Sequence, residues 1–329
     1  MTITRRTFVK SSVAASVAGI AAPAIAATYP TRPISLIVPY GAGGPTDTIG
    51  RITAEGLREA LNGTVIVDNV PGASGTIAVS KFYRSANDGY TLGLGNWPTF
   101  VLNGAIYPTP YDVTKDFEPI GSIVVDQQII ISRPDLPAKN LQELIAWFKS
   151  NTDKATQGTG GPGSTSHVVG ILFQRKTDTS FNFVPYRQGV GAAMVDLIAG
   201  RIDTMFSVAA NAIPHIKSGA VKAYAVTAKH RLATMPDIPT VDEAGLPGFY
   251  TANWHALFAP KGTPKPILDT LNGALMTALA AAATRKRLEE LGQEITSKEE
   301  QTPEALTRLL KSDIATWWPV VKAAGIKNE

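Results

Sequence analysis

The chain of 329 residues reads as an α/β protein of two domains that face each other across a cleft, and three observations predict it. Short β-branched runs alternate with helical patterns, which is the signature of βα units on mainly parallel sheets. The order strand, Gly-rich loop, helix occurs near residue 41 and returns near residue 158. The length itself is that of two ordinary domains.

The elements follow in order. Ile34–Tyr40 reads as the first strand, and Gly41-Ala42-Gly43-Gly44-Pro45-Thr46-Asp47 as the loop after it. Ile49, Ile52, Leu57 and Leu61 recur close to the helical period, with Asp47 where an N-cap belongs. A second strand is expected over 64–67, then the turn Asn69-Val70-Pro71-Gly72-Ala73-Ser74-Gly75 and a helix through Lys81. A third strand is expected over 90–95. Ile120–Val125 and Gln128–Ser132 read as two crossing strands, and Asn140-Leu141-Gln142-Glu143 has the spacing of a capping box. The pattern then restarts: a strand at 155–157, the loop Gly158-Thr159-Gly160-Gly161-Pro162-Gly163, and a helix opened by Ser164-Thr165-Ser166-His167. Strands at 181–186, 204–208 and 222–227 and a helix at 191–199 complete this half. The last third is helical, over 264–283, 285–291 and 303–324, with Thr302-Pro303 as a helix start. The expected division is residues 28–127 with 250–329 as one domain and 128–249 as the other, joined by two crossings.

Residues 1–27 read as an export signal. Arg5, Arg6 and Lys10 make a basic start with paired arginines, Val13–Ala22 is weakly apolar, and Ala24-Ile25-Ala26 is a small-x-small cleavage signal near Ala26-Ala27. The segment resembles a twin-arginine signal; the general secretory route stays open. The expected location is the periplasm. Without those three residues the chain holds 28 basic and 27 acidic residues, so its positive charge belongs mostly to the signal. No basic stripe with interleaved aromatics suggests nucleic acid. The closest approach to a membrane span is the Ala-rich run near 274–283, which ends in Arg285-Lys286-Arg287.

The sequence holds no cysteine, which removes disulfides, thiol catalysis and thiolate metal sites. The four histidines, His167, His215, His230 and His255, show no metal-ligand spacing, so no metal is expected. Gly158-x-Gly160-x-x-Gly163 matches a dinucleotide fingerprint in spacing, but Pro162 is awkward in such a turn and no acidic residue follows the next strand. Neither a Walker loop nor a G-x-S-x-G elbow is present. No cofactor and no enzymatic activity are expected, although spacing leaves a Ser–His hydrolase using Ser164 or Ser166 open.

What the loops offer is a neutral anion cradle. A helix start has unpaired N–H groups and partial positive charge, and glycine lets a ligand approach the backbone. Ser164, Thr165 and Ser166 add hydroxyls at one such start, and Ser74 at another. Asp47 reads as a helix cap or an acceptor for a ligand amine, Arg187 as a residue within reach of the cleft or a surface ion pair. Tyr40, Trp97 and Trp254 read as pocket walls or core.

Four segments carry a family resemblance: residues 37–47, 69–75, 158–167 and Val184-Pro185-Tyr186-Arg187-Gln188-Gly189, with Met235-Pro236-Asp237-Ile238-Pro239-Thr240 as a later match. In these, and in their order, the chain resembles the Bug family of receptors for tripartite tricarboxylate transporters. The resemblance implies a two-domain periplasmic-binding-protein fold of the Venus-flytrap, type II-like kind. It implies a small carboxylate held between the first and second Gly-rich loops, partly through waters, with residues 96–99 lining the cleft. It also implies integral-membrane transporter subunits as partners; presentation of ligand to a membrane sensor kinase is the alternative. One cleft per chain suggests a monomer. Asn96-Trp97-Pro98 is bulkier than the family's small-residue stretch, and the ligand's size and class stay open. The expected ligand-binding set is Tyr40, Gly43, Gly44, Thr46, Asp47, Ala73, Ser74, Asn96, Trp97, Thr99, Thr159, Gly163, Ser164, Ser166, His167, Arg187 and Asn211.

Overall fold

The structure is a computed structural model and describes residues 29–186, 189–323 and 325–326; the expected export signal and Arg187 lie outside these residues. Strand β1 (Ile34–Val38) pairs in parallel with β2 (Val65–Asn69) on one side and β3 (Thr91–Asn96) on the other. Next to β3, and antiparallel to it, runs β9 (Ala252–Pro260), followed by the first part of β4 (Phe117–Ser132) and the short β10 (Glu294–Ile295). These strands form sheet A. From Gln128 onward β4 leaves it and pairs antiparallel with β7 (Thr204–Val208) and β8 (Lys222–Val226). Strand β7 runs parallel to β5 (Thr156–Thr159), which pairs with β6 (Asn182–Pro185), and these make sheet B.

Parallel strands are apolar on both sides and need cover on both faces. On sheet A, helices α1 (Pro45–Leu61), α8 (Lys265–Ala280) and α9 (Ala282–Glu290) lie over one face, where Leu36, Ile49, Leu57, Leu271 and Leu275 are fully or almost fully buried. Helices α2 (Thr76–Tyr83), α3 (Asn103–Ile106) and α10 (Pro303–Ala323) cover the other, with Phe100 stacked on Phe258 at 4.0 Å between ring centres. Sheet B is packed the same way. Helices α4 (Leu141–Ser150) and α5 (Thr165–Thr177) close over Phe148, Phe173 and Phe206, while α6 (Val190–Ile198) and α7 (Ala209–Lys217) close over Leu197, Met205 and Ile213. The Ala-rich run is α8 and α9, bent by 69° where they meet, and no single helix among the described residues is long and apolar enough to cross a membrane.

Three expectations are corrected. The two crossing strands are one strand of sixteen residues, whose polar Asp126-Gln127-Gln128 interrupts the apolar run without ending the ladder. Strand β9 was not anticipated, because Ala252, Asn253, His255 and Pro260 mask it as a loop. Helix α7 was hidden by Pro214, which the helix accommodates in its interior. The passage from sheet B back to sheet A is tied to β4 by threonines: Thr227 donates its N–H to Gln128 O at 2.8 Å and its hydroxyl to Thr251 O at 2.7 Å. The two halves also touch away from this crossing, since Val168 of α5 is buried in the core cluster of α10 and Arg175 donates to Ala323 O at 2.8 Å.

Within β4, Gly121 has no room for a side chain: a Cβ there would lie 2.3 Å from the backbone oxygen of Gln301. Gly121→Ala is expected to cost ~2 kcal/mol. Gly273→Ala, at an exposed helical position with nothing within 4 Å, is expected to add ~0.5–1 kcal/mol. Parallel thermal melts decide; equal midpoints for the two variants would overturn the packing argument.

Candidate functional site

The loops at the C-terminal ends of β1, β3, β5 and β7 run directly into helix starts, the place where open α/β sheets bind ligands. The two sheets present these ends to one another. Tyr107, just after α3, donates or accepts at Ser74 Oγ (3.0 Å) and reaches Pro162 O of the opposite loop at 3.5 Å. Ile106 stands so close to Gly163 that a Cβ there would meet it at 2.9 Å.

On the sheet A side, the first loop passes from Tyr40 to Gly44 and opens α1. Gly44, not Asp47, is the N-cap, and it brings no side chain. Asp47 instead turns back to accept from the Gly43 N–H (2.8 Å), Asn69 Nδ2 (2.9 Å) and Arg51 Nε (2.9 Å). Burial opposes its ionisation, but the bonds from Arg51, Gly43 and Asn69 outweigh it and hold the carboxyl below the usual range. The charge of Asp47 is thereby satisfied within the loop. Thr46 lies behind it, 8% exposed, against His255.

Residues 72–75 all take positive φ, and two of them, Ala73 (45°) and Ser74 (51°), are not glycine. Each such residue costs on the order of 1 kcal/mol, and the turn closes on itself through the Gly75 N–H, which donates to Gly72 O at 2.9 Å. Asn103 Nδ2 holds the turn by donating to Ser74 O at 2.9 Å. Gly75 cannot be larger, because Thr99 and Pro39 crowd its Cβ position at 2.6 and 3.0 Å. Asn96 and Thr99 lock each other: the Thr99 hydroxyl donates to Asn96 Oδ1 at 2.8 Å and the Thr99 N–H to the same oxygen at 3.2 Å. Burial pushes the Tyr40 phenol up to about 12, against a hydrogen bond from Asn96.

On the sheet B side, the loop spends several of its N–H groups internally. Gly160 donates to Ser166 Oγ (3.1 Å), Gly161 to Thr159 Oγ1 (3.2 Å) and Gly163 to His167 Nδ1 (3.1 Å). Ser164 N-caps α5 by accepting from the His167 N–H at 3.4 Å. These glycine N–H groups shape the loop, and the donors left at this end are hydroxyls and the first-turn N–H groups of α5. Asn211, in the first turn of α7, donates to Ser207 Oγ at 3.1 Å.

The structure therefore gathers Tyr40, Gly43, Gly44, Thr46, Asp47, Ala73, Ser74, Asn96 and Thr99 at one wall, and Thr159, Gly163, Ser164, Ser166, His167 and Asn211 at the ends of sheet B. Trp97 is not among them; it is 2% exposed and packs edge-on against Trp317. Trp254 is likewise core, its Nε1–H donating to Asp313 at 2.8 Å.

The sequence reading missed Tyr107, which follows a helix too short to show a period, and the buried polar row on β4 and β9. Among the described residues, neither oxygen of Asp126 nor either amide atom of Gln128 completes a hydrogen bond in that row, nor do Asn253 Oδ1 and His255 Nδ1, nor either amide atom of Gln293 just before β10. Burial pushes the Asp126 carboxyl up to about 7, although Gln293 and the N–H groups of Ala210 and Ala209 at the start of α7 lean toward it. Burial alone pushes the His255 imidazole down to about 3.

Comparison with known proteins places this architecture. The description "Tripartite tricarboxylate transporter family receptor" matches over residues 49–326. The chain belongs to this receptor family. Members of known structure include BugD, a periplasmic binding protein, to which the chain is 39% identical with a TM-score of 0.83, covering 91% of this chain and 100% of that one. MatC from Rhodopseudomonas palustris, solved with bound malate, is 35% identical with a TM-score of 0.82, covering 89% and 100%. A second R. palustris protein, solved with adipate, is 31% identical with a TM-score of 0.84, covering 91% and 100%. The receptor family is a family of solute binders, and the Venus-flytrap reading of the fold holds.

Asp126 yields a prediction with a definite sign. Its folded-state pKa is raised, so the stability it contributes is present below the ordinary carboxyl range near 4 and is lost as pH rises through about 7. Asp126→Asn removes this loss. Relative to the unchanged protein the variant is expected to gain on the order of 2 kcal/mol between pH 4.5 and pH 8. Melts of both proteins at the two pH values test it, and a difference independent of pH would refute the assignment.

Proposed function

We propose that this receptor captures a small dicarboxylate in the periplasm, between the β1–α1 loop with the strained turn at 72–75 on one wall and the β5–α5 loop on the other. It then hands the ligand to the membrane subunits of a tripartite transporter. The observation that carries the reading is the donor set. Hydroxyls, Ser74 on its strained turn among them, and first-turn N–H groups lie at the strand ends, while the acidic group in the first loop is already paired with Arg51. An acid can be held there by donors that need no counter-ion. The malate and adipate bound to the two R. palustris relatives support a dicarboxylate.

Closure follows from the same reading. Residues 128–249 would move as one body against 28–127 and 250–329, about the crossing at Gln128, Thr227 and Thr251. The ligand supplies the differential contact that favours the closed form, because its two ends need donors from both walls.

Thermal melts of protein starting at residue 28 test the proposal. Malate or adipate at a hundredfold excess over its Kd is expected to stabilise by ~2.7 kcal/mol, and the corresponding diamide is expected to leave the midpoint in place. Ser74→Ala and Ser164→Ala, each measured against its own ligand-free baseline, are expected to shrink the shift. No shift with either acid, or equal shifts with the diamide, would overturn the reading.

A further inference from the structure

Thr46 and His255 meet beneath the first loop. Thr46 is the second residue of α1; His255 is in the middle of β9, opposite Asn96, and is fully buried. The imidazole Nε2 lies 3.2 Å from Thr46 Oγ1, and Nδ1 has no hydrogen-bond partner among the described residues. With burial keeping the ring neutral, it carries one proton, which sits on one nitrogen or the other.

The two tautomers are not equivalent here. A proton on Nδ1 would bury an N–H donor with no acceptor, the rarest kind of orphan group in folded proteins. A proton on Nε2 leaves only a lone pair unmet at Nδ1 and gives the contact with Thr46 a donor. The Thr46 oxygen then accepts, and its own proton is free to point elsewhere. It does not return to the helix backbone: Thr48, two residues on, donates its hydroxyl to Gly44 O at 3.2 Å, whereas Thr46 makes no comparable bond. Thr46 itself sits in the first turn of α1, where its own N–H and that of Asp47 have no intrahelical acceptor.

We propose that His255 is a positioning residue that fixes the Thr46 hydroxyl as a hydrogen-bond donor toward the ligand, so that this corner of the cleft takes an acid oxygen and rejects an amide nitrogen. This rests on the carboxylate-capture reading of the same loops. Acid-over-amide selectivity thus arises at this corner from a neutral group behind the wall.

The test has two arms. In protein labelled with ¹⁵N, long-range proton–nitrogen spectra report the tautomer of His255, assigned by the signal lost in His255→Gln. A bare Nδ1 and a protonated Nε2 are expected; the opposite tautomer overturns the proposal whatever the ligand. In the second arm, calorimetry compares malate, adipate and adipic monoamide. Thr46→Val and His255→Leu are each expected to weaken adipate binding roughly tenfold or more, and together no more than either alone. His255→Gln keeps an N–H near the Nε2 position and is expected to restore most of the affinity and the preference for adipate over its monoamide. No binding by either acid removes the capture reading and this proposal with it; unchanged adipate affinity in Thr46→Val overturns this proposal alone and leaves the capture reading standing. Weakened binding in Thr46→Val beside an intact acid preference in His255→Leu leaves the capture reading standing and overturns the role of His255.

Discussion

Strand β4 hydrogen-bonds into sheet A as far as Gln127 and into sheet B from Gln128. Both sheets inherit their orientation from this one backbone, so the strand ends that carry the Gly-rich loops are set facing each other before any loop residue contributes. The crossing has little freedom to drift, because Thr227 and Thr251 bind the returning chain to Gln128 and to each other. The buried polar row lies beside this point. Asp126 belongs by its strand to sheet A and faces the start of α7 from sheet B.

The two walls of the cleft are built by different means. The 72–75 turn holds residues in a backbone conformation that non-glycine residues avoid, and Asn103, Thr99 and Pro39 keep it there. Strain of this kind persists only where the surroundings over-determine it. The sheet B loop is unstrained by comparison and is shaped by side chains that accept from its own glycines. Hydroxyls stand on both sides, Ser74 on one and Ser164 and Ser166 on the other.

Much of this was legible in the residues. The run Thr204–Val208 reads as a strand to the residue, and the helix over 303–324 ends within one position of α10. The Gly-rich loops stand out because strand, glycine and helix signals coincide. Other features are invisible for physical reasons. Spacing shows that Asp47 opens a helix, but not that a neighbouring asparagine and arginine will pull it back onto the loop. Strand β9 carries as many polar and small residues as a loop, since its burial comes from partners far away in sequence. His255 looks like an isolated histidine until the antiparallel register sets it under α1. Trp97 looks like a pocket wall by its position after β3, yet Trp317, over two hundred residues later, draws it into the core.

The wide sequence separation of β3 and β9 bears on how the molecule comes to exist. Sheet B is made from one continuous stretch, 128–226, and can assemble as soon as that stretch is available. Sheet A cannot: Gly93 pairs with Phe258, and β10 and α10 arrive later still. Non-local pairing of this kind is slow to form, and until it does β3 presents an unpaired edge able to recruit strands from other chains. The early third of the chain therefore waits, incomplete, for the last third, and a product shortened at its C-terminal side keeps a template for aggregation in place of a wall of the cleft.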